Sequence, residues 1–572
     1  MPTIARRSAW LALVVLVAGS LPAMAQVKGA AAIRADDMKF HMQLLGAPEF
    51  RGRNMPSVEL EVASRYIALT AQRLGLKPLM ADGSYFQEMP LDITQVSESA
   101  SRIRVTSAGS TTTLHTPTAF GVRGRTVSAG TASGGLVFLG LGANAPALGW
   151  DDFAGLDLKG KVVVLLDAQL PASHALRQAE NRSALANRSL LARQKGAVAI
   201  LTVIPREREV ALATSGLEFL NMDRGRVLDI ETGVPASPAS GAAAARLWQV
   251  PVLLNGVPVT PGAAPAASAL FAIDLRHDAG ATLLGISRAD LDRMFDAVAQ
   301  GQRVPSRELP GRTADIAVSM NARRGAARNV VAWIEGTDPV LKGEYIVLGS
   351  HHDGIGYRED AVFVGADDNI SGVVAMFSIG KALAIERPKR SVIFVWHTGE
   401  EKGLLGAYYF VQHSPVPVER LSANLNMDML SRNDPNSIYL IGSNKVSMEL
   451  DKALHDVNDR FTKLKLDYTY QEPSHPDRFF FRSDQYPYIR YGIPGVWFFC
   501  GTTGDYHQPT DTEDRVDYAK LERVTKLVYY AAMEIGNRPA LLRLDVDPRI
   551  TTRGKHNMQI NWQARRPPTT DR

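Results

Sequence analysis

The sequence predicts an α/β protein with a mostly parallel, helix-covered sheet and an inserted, smaller β-rich domain. After Arg328 the chain contains five short, nearly continuous apolar runs, with helical stretches between several of them. Strands that are buried on both faces have this pattern, which is typical of parallel sheets. From about Gly134 to the start of that region, the composition shifts to Gly, Ala and Pro. With 572 residues, 45% of them hydrophobic and 22% charged, the chain is globular and long enough for two cores.

The five apolar runs are the predicted strands of the main sheet. They are Val330 to Ile334, Tyr345 to Leu348, Ser391 to Trp396, Ala423 to Met427 and Gly495 to Phe499. Two of the helical stretches are Ser371 to Glu386 and Tyr518 to Ile535. Because ligands bind at the carboxyl ends of strands in open α/β sheets, we expect a functional site where these runs end.

The first half of the chain predicts helices followed by a separate β-rich unit. Ile33 to Leu76 has apolar residues near helical spacing, and residues from about Ser99 to Thr116 alternate as in edge strands or a linker. Further elements are predicted as strands at Leu136 to Leu139, Lys161 to Asp167 and Ala197 to Val203, and as a helix at Ala184 to Gln194. The resulting division assigns 26–125 and 318–540 to the main domain, 130–304 to the inserted domain and 547–572 to a flexible tail.

The first 25 residues have the pattern of a secretory signal peptide. Arg6 and Arg7 precede an apolar run from Trp10 to Ala18, and the segment ends in Ala23-Met24-Ala25. This apolar run is shorter than the about 20 residues that span a bilayer, which favours cleavage over a membrane anchor. The sequence therefore predicts an exported protein, periplasmic or secreted, and no stable membrane association after cleavage.

Charge and cysteine content give no support to nucleic-acid binding or to a disulfide-bonded fold. The formal net charge is +5, and the basic residues are scattered and not interleaved with aromatic residues, so the sequence does not predict nucleic-acid binding. Cys500 is the single cysteine and lies in an apolar run. It therefore forms no intrachain disulfide, and we expect it to pack as a small apolar side chain.

Five short motifs rich in acidic residues and histidine occur between positions 351 and 507. In order they are His351-His352-Asp353, Gly365-Ala366-Asp367-Asp368-Asn369, Glu400-Glu401, Asn426-Met427-Asp428 and Tyr506-His507. Two imidazoles and three carboxylates that converge could hold two divalent cations, and a further carboxylate could accept a proton. Taken singly, the motifs are ambiguous, because two adjacent glutamates before a helix are often only a solvated helix start.

Together these motifs resemble, in order and sequence, those of the M28 family of zinc aminopeptidases. The matching pattern is His-x-Asp, Gly-Ala-Asp-Asp-Asn-x-Ser-Gly, Glu-Glu-x-Gly-Leu-x-Gly, an Asp after a strand and a late His, and it covers Arg328 to about Ile535. The resemblance implies a zinc-dependent exopeptidase fold of the phosphorylase/hydrolase-like kind. Asp157-Leu158-Lys159-Gly160 and Lys195-Gly196-Ala197, with the apolar runs after them, resemble the protease-associated (PA) domain that is inserted in many secreted peptidases.

The resemblance assigns a role to each motif. His351 and Asp428 would hold one metal ion, Glu401 and His507 would hold the second, and Asp367 would bridge the two. Asp368 would play a different part, and the peptide bond between Asp367 and Asp368 would be cis. Zinc suits these ligands, although cobalt or manganese is also compatible with them.

Two further carboxylates would complete the site. Glu400 would be the general base that takes a proton from the attacking water, and Asp353 would orient and polarise the His351 ligand. His352 is expected to pack elsewhere, because adjacent side chains of a strand face opposite sides. The oxyanion donor is unassigned. Tyr486 and Tyr491 are candidates, although each is expected to be a packing aromatic.

The predicted function is therefore that of a metallo-aminopeptidase acting on peptide substrates. A carboxypeptidase of the same superfamily remains an alternative, because Arg478, Arg482 or Arg490 could bind a terminal carboxylate. A non-catalytic receptor on the same architecture is a second alternative, although that class is expected to lack ligands that this chain retains. The sequence does not indicate the preferred side chain, the role of the inserted domain or the oligomeric state.

Overall fold

A computed structural model describes residues 28–546 of the chain, with gaps. The gaps are 123–128, 179–180, 182, 207–208, 210–217, 223–252, 255–256, 259–270, 359–360, 473–474 and 476. The predicted signal peptide and C-terminal tail lie outside the described residues. Within them, the strands form two large sheets and three short two-stranded pairs.

The main sheet has ten strands. In spatial order they are Glu218–Met222, Phe86–Val96, Met320–Ile334, Ser391–His397, Tyr345–His351, Leu421–Met427, Gly495–Phe499, Ser437–Ile441 and Lys465–Asp467, with Lys77–Pro78 pairing along Met320–Ile334. The four strands from Ser391–His397 to Gly495–Phe499 are mutually parallel, and antiparallel strands adjoin them on both sides. The α/β class is confirmed, and the parallel part of the mixed sheet is its centre.

Helices cover both faces of this sheet, which explains the continuous apolar strands. Ile346 and Leu348 belong to a core that includes residues of the N-terminal helices and of Ser371–Ile385. Val347 points into a second core with helix Leu405–Gln412. The described α-helices are Ala35–Leu45, Val58–Arg73, Ser183–Ala186, Arg188–Gln194, His277–Leu284, Arg288–Ala299, Ser371–Ile385, Leu405–Gln412, Ser443–Val446, Met448–Val457, Gln485–Arg490 and Tyr518–Asn537.

One described helical stretch, Ala366–Ile385, is long and apolar enough to cross a membrane by length and composition. Of its most apolar 18-residue window, 83% is buried inside the fold. Its apolar side chains pack against the main sheet and the helices beside it, as those of a core helix do.

The second large sheet has eight strands and its own core. In spatial order they are Ser110–His115, Arg102–Ser107, Arg307–Val318, Gly130–Phe138, Val162–Leu166, Ala199–Val203, Phe271–Leu275 and Phe120–Val122. Strands at Arg102–Ser107 and Arg307–Val318 lie outside the range 130–304 that the sequence predicts for the inserted domain. They pair with each other and with Gly130–Phe138, so the second sheet is built from both chain segments that flank that range.

The short pairs complete the described strands. They are Asn144–Ala145 with Trp150–Asp151, Leu253–Leu254 with Val257–Pro258, and Gly356–Arg358 with Ala361–Phe363. The last pair lies between the strand that ends at His351 and the turn that contains Asp368. It therefore belongs to the segment that carries two of the acidic motifs.

Candidate metal centre

The acidic motifs meet because neighbouring parallel strands end at the same edge of the main sheet. His351 is the last residue of strand Tyr345–His351, and Asp428 directly follows strand Leu421–Met427. Glu400 follows the end of strand Ser391–His397 by three residues. His507 lies in the loop after strand Gly495–Phe499. The strands thus bring together side chains that are up to 156 residues apart in sequence.

Five side chains form two groups that share one carboxylate. The first group is His351, Asp368 and Asp428, and the second is Asp368, Glu401 and His507. In the first, His351 Nε2 lies 3.3 Å from Asp368 Oδ1 and 3.4 Å from Asp428 Oδ1. In the second, His507 Nε2 lies 3.1 Å from Asp368 Oδ2 and 3.3 Å from Glu401 Oε2. Each oxygen of Asp368 thus faces a different group, which is the arrangement of a bridging carboxylate.

The structure contradicts the prediction that Asp367 is the shared carboxylate, because Asp368 and not Asp367 lies between the two groups. Asp367 Oδ1 accepts hydrogen bonds from the Ser431 amide at 2.8 Å and the Ser431 hydroxyl at 2.7 Å. Asp367 Oδ2 accepts one from the Cys500 thiol at 3.1 Å. Its carboxylate is thus turned away from the two groups and holds neighbouring loops. The non-proline cis bond likewise lies one residue later than predicted, between Asp368 and Asn369.

The geometry of the two groups fits metal ions. Three buried atoms, His351 Nε2, Glu401 Oε1 and Asp428 Oδ1, have no hydrogen-bond partner among the described residues, although buried polar atoms are normally paired. Ligand atoms bound about 2.0–2.2 Å from a tetrahedral zinc ion lie roughly 3.3–3.6 Å from one another. Most of the observed separations fall near this range. The donor set of imidazole nitrogen and carboxylate oxygen also suits zinc.

Charge couples the imidazoles to the carboxylates. Burial lowers the pKa of His351, but Asp428, Asp353 and Asp368 together raise it well above its usual value. Burial likewise opposes protonation of His507, yet Asp368 and Glu401 raise its pKa to about 10. The acidic site therefore attracts positive charge strongly. Because imidazoles must be deprotonated to bind a metal, protons and metal ions compete for them.

Glu400 lies beside the first group without belonging to it. Its Oε2 is 4.0 Å from His351 Nε2, and its side chain is 11% exposed. Burial raises the pKa of the Glu400 carboxyl well above its usual value, and Glu401, Asp428 and Asp484 raise it further, whereas His351 lowers it. A raised pKa suits a carboxyl group that accepts and later returns a proton near neutral pH.

Asp353 connects the Glu400-Glu401 turn to the His351 imidazole. Its carboxylate lies 3.6 Å from His351 Nδ1, and His351 Nδ1 is also 3.1 Å from the Asp353 carbonyl oxygen. The same carboxylate accepts hydrogen bonds from the backbone amides of Glu400 at 3.1 Å and Glu401 at 3.3 Å. Asp353 thus orients the His351 ring and the Glu400-Glu401 turn at once.

Asp428 has a support that the sequence motifs do not include. The Ser483 hydroxyl donates a 2.5 Å hydrogen bond to Asp428 Oδ2, and the Asn426 amide donates one of 2.8 Å to Ser483 Oγ. This leaves Asp428 Oδ1 facing His351.

A pocket opens beside the acidic groups. Its lining consists of Asp368, Glu400, Asp428, Met429, Phe479, Arg482, Trp497, Phe499 and Tyr506. Four of these side chains are apolar, and the three aromatic ones form one wall, because the Phe499 ring centroid lies 4.3 Å from that of Trp497 and 5.3 Å from that of Phe479. Of the other lining residues, Arg482 is basic, and Tyr506 is polar and uncharged. The pocket therefore offers an apolar surface next to the acidic cluster.

Tyr506 and Arg482 form a pair in this pocket. Arg482 Nη2 donates a hydrogen bond of 2.8 Å to the Tyr506 hydroxyl oxygen, and the Tyr506 ring stacks on His507 with 3.9 Å between centroids. Burial raises the pKa of Tyr506 far above its usual value, so its hydroxyl keeps its proton. The motif Tyr506-His507 already contained this tyrosine, but only its histidine was assigned a role.

The remaining predicted residues lie elsewhere. Tyr486 is buried beside Phe480 and Phe481, and the Tyr491 hydroxyl accepts a hydrogen bond from Gln412. Neither tyrosine lines the pocket. His352 is buried, with Nε2 2.8 Å from Ser64 Oγ and Nδ1 2.6 Å from the His397 carbonyl oxygen, as its strand position predicts. Cys500 is buried.

A family match and relatives of known name support this reading of the site. Residues 329–532 match the family model of peptidase family M28. The chain is 26% identical over 366 residues to leucine aminopeptidase 2 of Arthroderma otae, which covers 57% of this chain and 66% of that protein. It is 31% identical over 193 residues to the probable leucine aminopeptidase 2 of Aspergillus oryzae. This alignment covers 33% of this chain and 37% of that protein. The matched regions thus span two thirds of these relatives or less.

Solved structures share the fold over most of the chain. An aminopeptidase from Aneurinibacillus sp. strain AM-1 has a TM-score of 0.52 at 19% identity, covering 91% of this chain and 98% of that one. BSAP, a zinc aminopeptidase from Bacillus subtilis, has a TM-score of 0.50 at 16% identity, covering 88% and 96%. The similarity therefore extends over both sheets.

Proposed function

Because residues 329–532 match the model of peptidase family M28, we propose that the chain is an exported two-metal aminopeptidase that releases N-terminal residues from peptides. The observation that carries this proposal is the pair of three-residue groups that share Asp368. Glu400 lies next to them with a carboxyl group that belongs to neither. The names of the matched relatives, leucine aminopeptidases, support the choice of reaction.

Two zinc ions are the proposed cofactors. His351 and Asp428 would hold the first, Glu401 and His507 the second, and Asp368 would bridge them; the zinc in the Bacillus subtilis neighbour supports this choice. When bound, such a pair polarises the scissile carbonyl and acidifies the attacking water. Cobalt or manganese could occupy the same ligands, since the Irving–Williams order leaves selectivity to geometry and supply.

Glu400 is the proposed general base and acid. It would take the proton of the water that attacks the scissile carbonyl carbon and return that proton to the leaving amine nitrogen. The hydrogen bonds from the Glu400 and Glu401 amides to Asp353 fix the turn that carries Glu400. Asp353 is therefore proposed as the residue that holds both the His351 ring and Glu400 in position.

Tyr506 is the proposed hydrogen-bond donor to the oxyanion. Its oxygen already accepts a hydrogen bond from Arg482, so its own proton is available to a carbonyl oxygen in the pocket. Donors that are positioned before the reaction stabilise the developing negative charge without having to reorient. Arg482 would add a positive charge behind the same hydroxyl group.

The apolar wall of the pocket supports an uncharged, bulky first residue in the substrate. Met429, Phe479, Trp497 and Phe499 line it together, and burying an apolar side chain against them is favourable. The carboxypeptidase alternative depends on a cation near the site. Of the three candidate arginines, Arg482 lines the pocket, whereas Arg490 is buried with Nη1 3.4 Å from the Tyr408 hydroxyl.

Hydrolysis of matched peptides tests the reaction and the end of the substrate that is cleaved. We expect purified protein to cleave leucyl peptides with a free amine, to lose this activity with a chelator, and to regain it with zinc. N-acetylated peptides with a free carboxylate would be cleaved only by a carboxypeptidase. Protein that neither binds metal nor cleaves either set would be the non-catalytic alternative.

Export and the inserted domain complete the proposal. We infer from Arg6, Arg7 and the apolar run after them that residues 1–25 are removed on export to the periplasm or medium. The second sheet is proposed to be a PA-like domain on the strength of its sequence resemblance. Sequencing the N-terminus of the exported protein tests the cleavage, because Gln26 should then be the first residue.

A further inference from the structure

Arg53 places a buried guanidinium group next to the metal centre, in the segment Pro48–Arg53. It is 2% exposed, and its hydrogen bonds to described residues all go to backbone carbonyls. Nε donates to the His352 carbonyl oxygen at 3.1 Å, and Nη1 donates to those of Leu45 and Val364 at 3.0 Å each. A buried guanidinium normally has a carboxylate partner, whereas these hydrogen bonds of Arg53 go to the backbone.

One set of these bonds holds the loop that carries the first metal ligand. The backbone amide of Gly354 donates to the Arg53 carbonyl oxygen at 3.0 Å, while Arg53 Nε bonds to the residue before Asp353. Arg53 therefore contacts the chain on both sides of Asp353, which orients the His351 ring. A shift of Arg53 would move this carboxylate and the imidazole that faces it.

The other set holds the turn that carries the bridging ligand. Arg53 Nη1 bonds to the Val364 carbonyl oxygen, directly before the Gly365–Asp368 turn. Nη2 has no hydrogen-bond partner in the described part of the chain. It lies between the two loops, since a Cβ atom added at Gly365 or Gly354 would be 3.4 or 3.5 Å from it. The side chain thus spans the gap between the His351 loop and the Asp368 turn.

Backbone packing of the same segment makes this placement specific. Gly52 has a φ of 68°, and a Cβ atom there would lie 2.3 Å from the Gly356 carbonyl oxygen and 2.4 Å from that of Phe363. The segment is therefore pressed against the two-stranded pair that joins the His351 loop to the Asp368 turn. No side chain larger than hydrogen fits at position 52, and Arg53 is held in place by this contact.

The charge of Arg53 suits its position among carboxylates. Burial lowers the pKa of its guanidinium to about 10, and Asp353, Asp511, Asp368 and Glu401 act to raise it. The group therefore remains a cation at neutral pH. Its positive charge offsets part of the negative charge of these carboxylates, and Arg53 is not one of the proposed metal ligands.

We propose that Arg53 is a positioning residue of the metal centre, which fixes the spacing between the loops of His351 and Asp368. This inference rests on the proposed function, since it concerns how tightly the chain holds its metal ions. Arg53 touches neither substrate nor metal ligand side chains in its hydrogen bonds. Its effect acts through the backbone of both ligand loops.

Metal affinity of Arg53 variants tests the proposal. Arg53→Lys keeps the charge but cannot reach all three carbonyls, and Arg53→Met removes charge and donors while keeping an unbranched side chain. We expect both to bind zinc about 10- to 100-fold more weakly in chelator competition, with Arg53→Met the weaker. The matched control is Arg293→Met, because Arg293 is 69% exposed, pairs with Asp290 and lies in helix Arg288–Ala299, which packs in the core of the second sheet. Its affinity should stay within about twofold of wild type.

Affinity is measured well below the unfolding temperature of each metal-free variant, so that loss of stability and loss of affinity are read separately. Folded Arg53 variants with wild-type affinity would overturn the inference, even if their unfolding temperature falls. Wild-type protein that binds no metal would instead overturn the proposed function, and this inference with it.

Hydrogen exchange of the wild-type chain gives a second test that needs no variant to fold. If the segment at Arg53 and the metal centre are coupled, the coupling is reciprocal. Removing metal should then increase amide exchange in residues 46–54 as well as in the ligand loops at 351–368. Exchange that increases only at 351–368 would overturn the inference. The second half of helix Val58–Arg73 is the internal control, and its exchange should not change.

Discussion

Arg482 Nη2 donates a 2.8 Å hydrogen bond to the Tyr506 hydroxyl oxygen at the wall of the pocket that contains Glu400 and Asp368. The tyrosine oxygen is therefore an acceptor towards Arg482 and remains a donor towards the pocket. The adjacent residue, His507, faces Glu401 and Asp368. One loop thus brings the proposed metal ligand His507 and the proposed oxyanion donor Tyr506 to the same site.

Tyr506→Phe removes this donor while keeping the ring that stacks on His507. We expect kcat to fall about 100-fold, because loss of one oxyanion donor typically has that effect. The Michaelis constant and metal content should change little. Tyr491→Phe is the control, since Tyr491 bonds to Gln412 away from the pocket. An unchanged kcat in Tyr506→Phe would exclude the tyrosine as the donor.

Glu400→Gln removes the proposed base and keeps the size of the side chain. Turnover should fall by at least about 100-fold, the lower end of the effect of general base catalysis. Zinc content, measured by elemental analysis, should stay near that of the wild type because Glu400 belongs to neither ligand group. Normal turnover, or loss of zinc, would contradict this role.

Asp368→Asn and Asp367→Asn separate the two adjacent carboxylates. We expect Asp368→Asn to lose affinity for both ions, because each of its oxygens faces one group. Asp367→Asn should keep two zinc ions and lose stability, since its carboxylate bonds to Ser431 and Cys500. Zinc titration by calorimetry distinguishes the two variants. The reverse order of affinities would restore the assignment of Asp367.

His351→Ala and His507→Ala extend this test to the individual groups. Each should lower the stoichiometry from two zinc ions towards one, because each imidazole belongs to one group only. Full occupancy of two ions in either variant would reject that ligand.

The stability of the fold should depend on pH through His41. Burial lowers the pKa of His41 from 6.5, although Asp37 acts to raise it, so the folded state binds fewer protons than the unfolded state below that value. The unfolding free energy is therefore complete above about pH 6.5 and decreases as pH falls towards the lowered pKa of the folded protein. His41→Gln should lose less stability over this interval than the wild type.

Thermal unfolding of metal-free protein at about pH 7.5 and pH 5.5 measures this difference. Metal is removed from both proteins because ligand protonation would otherwise add its own pH dependence. The His41 imidazole lies near Tyr66 and Phe377. Equal losses of stability in the wild type and in His41→Gln would show that protonation of this imidazole does not destabilise the fold.

The sequence by itself determined the α/β fold, the resemblance to M28 peptidases and most of the residues that meet at the candidate site. His351, Glu400 and Asp428 each follow an apolar run, and a strand buried on both faces can be recognised from its continuous apolar residues. Since the carboxyl ends of parallel strands meet at one edge, a residue that follows such a run is predicted to lie at the site.

Only the tertiary structure decided between Asp367 and Asp368, and only it revealed Tyr506 and Arg53. The two aspartates are adjacent in an irregular turn, where no helical or strand periodicity states which carboxylate faces the site. Arg482 and Tyr506 are 24 residues apart, and Arg53 is 299 residues from His352. Such contacts depend on how separate loops pack, which no local pattern of side chains encodes.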